Sequence, residues 1–336
     1  MYKKDIAYFI TDFFTNYLNR EAGLSTNTIK SYRDTFILLF KYLDENGICK
    51  INKIKMDVLN VDTVNGFLNW LEESRGNSIN SRNQRLAALK AFCNYVIRKN
   101  PEKSSICQNV LNIRVKKALQ KSVKYLTVNA VECLLKVPDK YSSKGIRDLA
   151  IMSLLYESGC RVQELINLKL GNISFCVPNT VTLTGKGNKA RVIPISKNVA
   201  DILKVYLQSA GICDVEHHVF VNRYNEPLSR SGIAYILDKY GQMAHDIQPE
   251  LFTSKLHPHI LRHSKAMHLL ENGVNLIYIR DFLGHSSVTT TEIYAKCNPE
   301  LKRKYIEQAS NLIMEEIEEY NSEEKLTLLE WLRNNI

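Results

Sequence analysis

The chain has 336 residues, 45% of them hydrophobic and 24% charged, with 17 Tyr and 11 Phe. That is a length of about two domains and a composition that excludes intrinsic disorder, while the absence of any apolar run of about 18 residues excludes an encoded transmembrane helix. The formal net charge is +10, with eight acidic and two basic residues in Tyr305–Ile336 and a net +16 on residues 1–304, so the body favours a polyanion, nucleic acid first.

The opening MYKKDIAYFITDFF carries aspartates inside its apolar run. It reads as an amphipathic helix rather than a signal peptide, which makes the cytoplasm the default location. Ile6, Phe9, Ile10, Phe13, Tyr17 and Leu18 recur at helical spacing until Gly23 breaks the pattern. Ser25, Thr26 and Asn27 supply caps for a second helix with Tyr32, Phe36, Leu39, Phe40 and Leu43 on one face, ended by Asn46-Gly47. Asp62 is the expected cap of a third helix, with Val64, Phe67, Leu68 and Leu71 inward. Ser78 to Ser81 opens a fourth, with Leu86, Leu89, Phe92, Val96 and Ile97 on its apolar side. These make an all-α domain over residues 1–101. Lys30, Arg33, Arg82, Arg85 and Lys90 interleave with the core positions. Singly they read as solvated helix surface; together they suit a DNA backbone.

Asn100-Pro101 stops the fourth helix. Residues 102–124 hold one acidic and six basic residues with a thin apolar pattern, which reads as a basic interdomain linker with room for short extended or helical parts. The second domain begins near Tyr125, with Thr127 capping a helix, then a strongly apolar helix over Arg147–Ser158 and another after Gly159. The period then changes. Thr180–Thr184 alternates, Gly185-Lys186-Gly187-Asn188 is a turn cluster, and Ala190–Ile195 alternates again, the pattern of a β-hairpin. Helices resume near Asn198. Eight scattered cysteines form no CxxC pair, so they read as free, buried thiols.

Four clusters carry candidate chemistry: Gly159-Cys-Arg161-Val-Gln-Glu164-Leu, the hairpin tip around Lys186, His257-Pro-His259-Ile-Leu-Arg262-His263, and Leu283-Gly-His285 followed by Tyr294. His259 and Arg262 share a helix face at i, i+3. His259 and His263 at i, i+4 also have a metal-binding spacing, but Ile260 stands where a zinc protease needs Glu, and no third ligand follows at a fixed offset. A His–Arg pair suits a phosphate instead, the guanidinium as a bidentate fork and the imidazole as a proton carrier. Phosphoryl transfer of this kind needs fixed cations, an acid, a base and a nucleophile. Arg161, Arg262, Lys186, His259, His285 and Tyr294 can supply every role, and no multi-carboxylate cluster nearby suggests two-metal chemistry.

In this order the clusters resemble the tyrosine recombinases, or phage-type integrases. HILR resembles their His–x–x–Arg element, LGH the second histidine, EIYAK the nucleophile segment, GCRVQEL the first arginine box and TGKGNKARVIPI the hairpin that carries a lysine. LSTNTIKSYRDTFILLFKYL resembles the core-binding domain, so the likeness spans roughly residues 5 to 300. The resemblance implies a mainly α protein with a small β-sheet, a two-domain C-shaped clamp of an all-α SAM-like core-binding domain and an α+β catalytic domain over 125–304. Tyr294 is then the nucleophile that forms a 3′-phosphotyrosyl link. Arg161 and Arg262 hold the non-bridging oxygens, Lys186 (or Lys189 in the same hairpin) protonates the 5′-oxygen, His259 is the base toward Tyr294, His285 supports the phosphate, and Glu164 orients the site.

The resemblance implies double-stranded DNA as partner, a homo-tetramer on synapsed sites with or without a second recombinase, and no metal, ATP or small-molecule cofactor. The helices beginning near Met1 fit members without an arm-binding domain, such as those for chromosome-dimer resolution and many transposon-borne ones. The acidic tail over 305–336, with Ile306, Ala309, Ile313, Ile317 and Tyr320 at helical spacing, is expected to dock on a neighbouring protomer. For Leu326, Leu328, Leu329, Trp331 and Leu332 the choice between own and neighbouring protomer is open. Rival readings are a type IB topoisomerase, a non-catalytic DNA-binding regulator and a metal hydrolase. The six-residue set disfavours the second, and the missing Glu after His259 disfavours the third.

Overall fold

The first helix, α1 (Ile6–Asp12), starts where Asp5 accepts the Tyr8 N–H at 3.0 Å. Among the residues of this computed structural model, 5–118, 123–185, 187–285, 287–297, 303, 306–307 and 322–335 are described. The chain divides into two compact units, Met1–Lys121 and Ser122–Ile336.

In the first unit α1 continues as a wider π-type coil over Phe13–Glu21. Next come α2 (Thr26–Glu45), α3 (Val61–Glu73) and α4 (Ile79–Lys99). Ser25 and Ser78 cap α2 and α4 through their hydroxyls, and Asn46 and Asn100 end them. The cap of α3 is Asn60, whose amide oxygen accepts the Thr63 N–H at 2.9 Å, not Asp62. Asp62 instead lies in the first turn, where its charge suits the positive helix end. Phe13 sits at the centre of the core, with ring centroids of Phe92 and Tyr95 each 5.3 Å away. Such offset and edge contacts add specificity to the apolar burial.

Two expectations for this unit are corrected. Residues 102–113 are not a linker: α5 (Ser104–Leu111) packs on α4, and Cys107, Val110 and Ile113 are buried in the same core. The apolar signal there is short because one face of two turns suffices. Arg82 and Arg85 do not form an open basic surface. Arg82 is buried and ion-paired with Glu72 at 3.0 Å. Arg85 donates to the Ser31 carbonyl at 2.8 Å and the Thr35 hydroxyl at 3.2 Å, tying α4 to α2.

The second unit begins with α6 (Val128–Lys136), capped by Thr127, and α7 (Ser143–Ser158). Helix α7 is buried on nearly every side, which is why Leu149–Leu155 is apolar at every position but Ser153. After α8 (Val162–Ile166) come β1 (Ile173–Ser174), β2 (Thr180–Thr184) and β3 (Ala190–Pro194) in one antiparallel sheet, order β1-β2-β3. The hairpin is registered Thr180↔Pro194 through Thr184↔Ala190. The two-residue β1 is too short to give a period in sequence. Helices α9 (Lys197–Ala210), α10 (Arg230–Ile247) and α11 (Pro258–Glu271) complete the main core. A smaller cluster joins α11 to α12 (Leu276–Leu283) and α13 (Glu292–Cys297) through Ala266, Met267, Leu270, Ile279, Leu283 and Tyr294.

Helix α14 (Ser322–Asn335) exposes Leu328, Leu329, Trp331 and Leu332 by 40–56%. Ile306 is exposed, whereas Ala309, Ile313, Ile317 and Tyr320, on which the docking expectation rests, lie outside the described residues. Among the described residues no helix is long and apolar enough to cross a membrane.

Candidate active site

Two helix ends frame the site. Helices α7 and α12 both stop at a glycine in the left-handed region, Gly159 at φ +54° and Gly284 at φ +63°. Only glycine takes this conformation without strain. The two ends also pack closely: a Cβ on Gly159 would meet Leu283 and Phe282 at 3.0 Å, and one on Gly284 would meet the Arg191 guanidinium at 2.9 Å. A helix end leaves carbonyls without partners and carries partial negative charge.

Guanidinium groups fill that need. Arg262, on α11 and 3% exposed, donates through Nη1 to the Gly159 carbonyl at 2.6 Å and through Nη2 to the Leu283 carbonyl at 2.7 Å. It thereby ties the ends of α7 and α12 together. Arg161, which precedes α8, donates to the Gly284 carbonyl at 3.0 Å and to Glu164 Oε1 at 2.9 Å. Arg191, on β3, donates through Nε to the Phe282 carbonyl at 2.9 Å. Its two Nη atoms reach Glu164 Oε1 at 3.1 Å and Oε2 at 2.7 Å. Three successive carbonyls, Phe282, Leu283 and Gly284, are therefore each held by a different arginine from a different element.

Glu164 is the carboxylate at the centre. Burial pushes its pKa up, but the Arg191 hydrogen bonds, the Arg161 N–H at 2.9 Å and the nearby positive charge outweigh that and hold it below the ordinary range. Arg262 is pushed down to about 10 by burial and then by the charge of Arg161. That remains far above neutrality, so the group stays a cation.

Histidines stand around this cationic centre. His259 is lowered by burial and by Arg262. His263 is lowered to about 4 by burial, with His259 and Arg262 adding to it. His285 follows Gly284 directly and is lowered to about 4 by burial and by Arg262 and Arg161. Its Nδ1 lies 3.0 Å from the Thr291 hydroxyl. At neutral pH the His263 and His285 imidazoles are uncharged.

Tyr294 is 1% exposed, on the short helix α13. Its hydroxyl lies 2.9 Å from His263 Nδ1. With His263 neutral, that nitrogen can accept the tyrosine O–H. The ring that meets Tyr294 is therefore His263, not His259. The His259 ring stands 6.3 Å from His263, one turn earlier on α11.

Arg161, Arg262, His259, His285 and Tyr294 are thus gathered about α11 and the end of α12. Lys186 lies outside the described residues, and Lys189 is exposed in the same turn. Sequence reasoning missed Arg191 and the His263–Tyr294 pair. Arg191 had a signal: in β3 it shares the inward phase with Ile193, an uncommon place for a charge. His263 had only its place on one helix face with His259. Among the described residues no group of three or more His, Cys, Asp or Glu side chains is placed to hold a metal ion.

Comparison with known proteins agrees with this architecture. Residues 124–300 match the phage integrase family, and residues 11–100 match the phage integrase N-terminal SAM-like domain. The chain is 32% identical over 305 residues to a putative integrase/recombinase, y4rC, of Sinorhizobium fredii, covering 91% of this chain and 92% of that protein. It is 34% identical over 286 residues to the tyrosine recombinase XerD of Halalkalibacterium halodurans, covering 84% and 90%. Two solved structures share the fold. The Tn1549 transposon integrase in complex with transposon right-end DNA has a TM-score of 0.70 at 17% identity, covering 90% of this chain and 99% of that one. The XerH site-specific recombinase bound to difH substrate has a TM-score of 0.66 at 22% identity, covering 85% and 79%. The chain belongs to the phage integrase family and is a tyrosine recombinase, an enzyme of DNA cleavage and rejoining.

Proposed function

We propose that this recombinase cleaves each strand of a double-stranded DNA site through Tyr294 and rejoins it to a new partner. The observation that carries the reading is the cluster of Arg161, Arg262 and His285 at the end of α12, with Tyr294 on the adjoining α13. Tyr294 attacks the scissile phosphate, giving a 3′-phosphotyrosyl link and a free 5′-hydroxyl. Arg161 and Arg262 meet the charge that develops on the non-bridging oxygens. His285 hydrogen-bonds the phosphate, and Lys186, with Lys189 as the alternative, protonates the leaving 5′-oxygen. His263 or His259 takes the tyrosine proton; a tyrosine with an ordinary pKa near 10 needs such a base and neighbouring cations at neutral pH. The phosphotyrosyl bond keeps the energy of the phosphodiester, so rejoining needs no ATP. Because Tyr294 is buried, α13 must yield before the hydroxyl can meet DNA.

The first unit is the proposed core-binding domain and residues 125–304 the catalytic domain. Two strand exchanges through a Holliday junction require four active sites, hence a tetramer on paired sites, of this chain alone or with a second recombinase, with residues 306–320 as the proposed docking segment. The test is a nicked suicide duplex spanning the DNA that borders the gene, with EDTA present. An adduct that survives SDS and vanishes in Tyr294→Phe, while that variant still binds DNA, is the expected result. An adduct that persists in Tyr294→Phe overturns the assignment.

A further inference from the structure

We propose that Arg191 is a positioning residue for strand cleavage: it fixes Glu164, and through Glu164 the Arg161 guanidinium, against the α12 end that carries His285. The proposal rests on the reading that Arg161 contacts the scissile phosphate.

Arg191 uses three of its donors within one small volume. Nη1 and Nη2 hold both oxygens of Glu164, and Nε holds the Phe282 carbonyl. Its side chain is 13% exposed and that of Glu164 is 4% exposed, so this pair is shielded from the screening that weakens surface ion pairs. A fork with a fixed plane can satisfy a carboxylate and a carbonyl together; a lysine ammonium cannot.

Glu164 passes the constraint on. Its Oε1 accepts from Arg161 Nη1 at 2.9 Å and its Oε2 from the Arg161 N–H at 2.9 Å. Arg161 is the more exposed partner, with a side chain 36% exposed. It therefore owes its orientation to Glu164 and to the Gly284 carbonyl. Without Arg191, Glu164 loses two donors and keeps only its bonds to Arg161 itself, so the pair is no longer tied to the hairpin and Arg161 loses its fixed aim. The Phe282 carbonyl is released in the same step, two residues before the glycine that sets the direction of His285. Arg191 also sits opposite Leu183 in the hairpin, two residues after Lys189. One side chain thus links the hairpin, the first arginine and the histidine segment.

A misplacement of about 1 Å at a reacting centre costs about 100-fold in rate. The test is single-turnover cleavage of the suicide duplex at saturating DNA, far below each variant's melting temperature, with DNA affinity measured separately. Arg191→Ala is expected to cleave about 100-fold more slowly with DNA affinity little changed, and Arg191→Lys to fall between it and the wild type. Arg191→Ala combined with Glu164→Gln should be no slower than the slower single variant, because both break one link. If Arg191→Ala does not fold, the same cycle is run with Arg191→Lys. Cleavage by the Arg191 variant within about threefold of wild type, or losses that multiply in the double variant, overturn the proposal. Failure of the underlying reading looks different: Arg161→Ala would then keep full cleavage whatever happens at Arg191.

Discussion

Replacing Arg262 with alanine tests the frame and the chemistry at once. The side chain is 3% exposed and satisfies the carbonyls of Gly159 and Leu283. Leaving each buried acceptor without a partner costs about 1–3 kcal/mol. Relief from burying a guanidinium offsets part of that, so a net loss of about 2–4 kcal/mol is expected. For a unit of about 200 residues each kcal/mol lowers Tm by about 2–4 °C, giving a fall on the order of 5–15 °C. Cleavage should drop by a further factor of about 100–1,000, because one fixed cation is removed from the developing charge. Differential scanning calorimetry reads the first effect. The suicide-substrate assay, run where the variant is fully folded, reads the second. Arg262→Lys keeps the charge but reaches one carbonyl, so its Tm should lie between the two while cleavage stays impaired. A variant Arg262→Ala with Tm within about 2 °C of wild type would refute the bridging role, and unimpaired cleavage would refute the catalytic one.

Further outcomes follow from the same geometry. Because His263, not His259, meets Tyr294, His263→Ala should slow cleavage by about 100-fold or more if it is the base; a larger loss in His259→Ala than in His263→Ala returns that role to His259. His263 and His285 are both lowered to about 4 from an ordinary value of 6.5, so the unfolded chain binds their protons first. Their contribution to stability is complete above about pH 6.5 and is lost as pH falls toward 4. Thermal melts of DNA-free protein should show this loss, and His263→Gln with His285→Gln should flatten it; a Tm that does not change between pH 7 and 4.5 would contradict the burial of neutral imidazoles. Gly284→Ala places a Cβ 2.9 Å from Arg191 at φ +63°, costing at least about 1–2 kcal/mol and slowing cleavage, as paired melting and cleavage measurements would show.

Much of the fold is legible in the sequence because local chemistry and tertiary packing agree there. The caps at Ser25, Ser78 and Thr127 and the hairpin around Gly185–Lys189 are set by residues within a few positions of each other. Helix α5 and strand β1 were missed because each is defined by a distant partner: α5 by the first unit's core, β1 by β2. The same contrast holds in the site. Arg161, His259, Arg262, His285 and Tyr294 stand in motifs, so the sequence alone names them as candidates. Arg191 takes its meaning from Glu164, 27 residues away, and from Phe282, 91 residues away. No spacing rule links those three positions.

The arginine cluster also has an electrostatic consequence. Backbone carbonyls steady a guanidinium without cancelling its charge, and Glu164 is the one carboxylate hydrogen-bonded to Arg161, Arg191 or Arg262 among the described residues. The centre is therefore assembled with a counter-ion still owed to it. A phosphate diester is a fitting one, since it supplies negative charge and accepts hydrogen bonds along the remaining donor directions. On the proposed function, DNA then completes the folded catalytic unit as well as being its substrate, and binding and thermal stability become two readings of one ion balance.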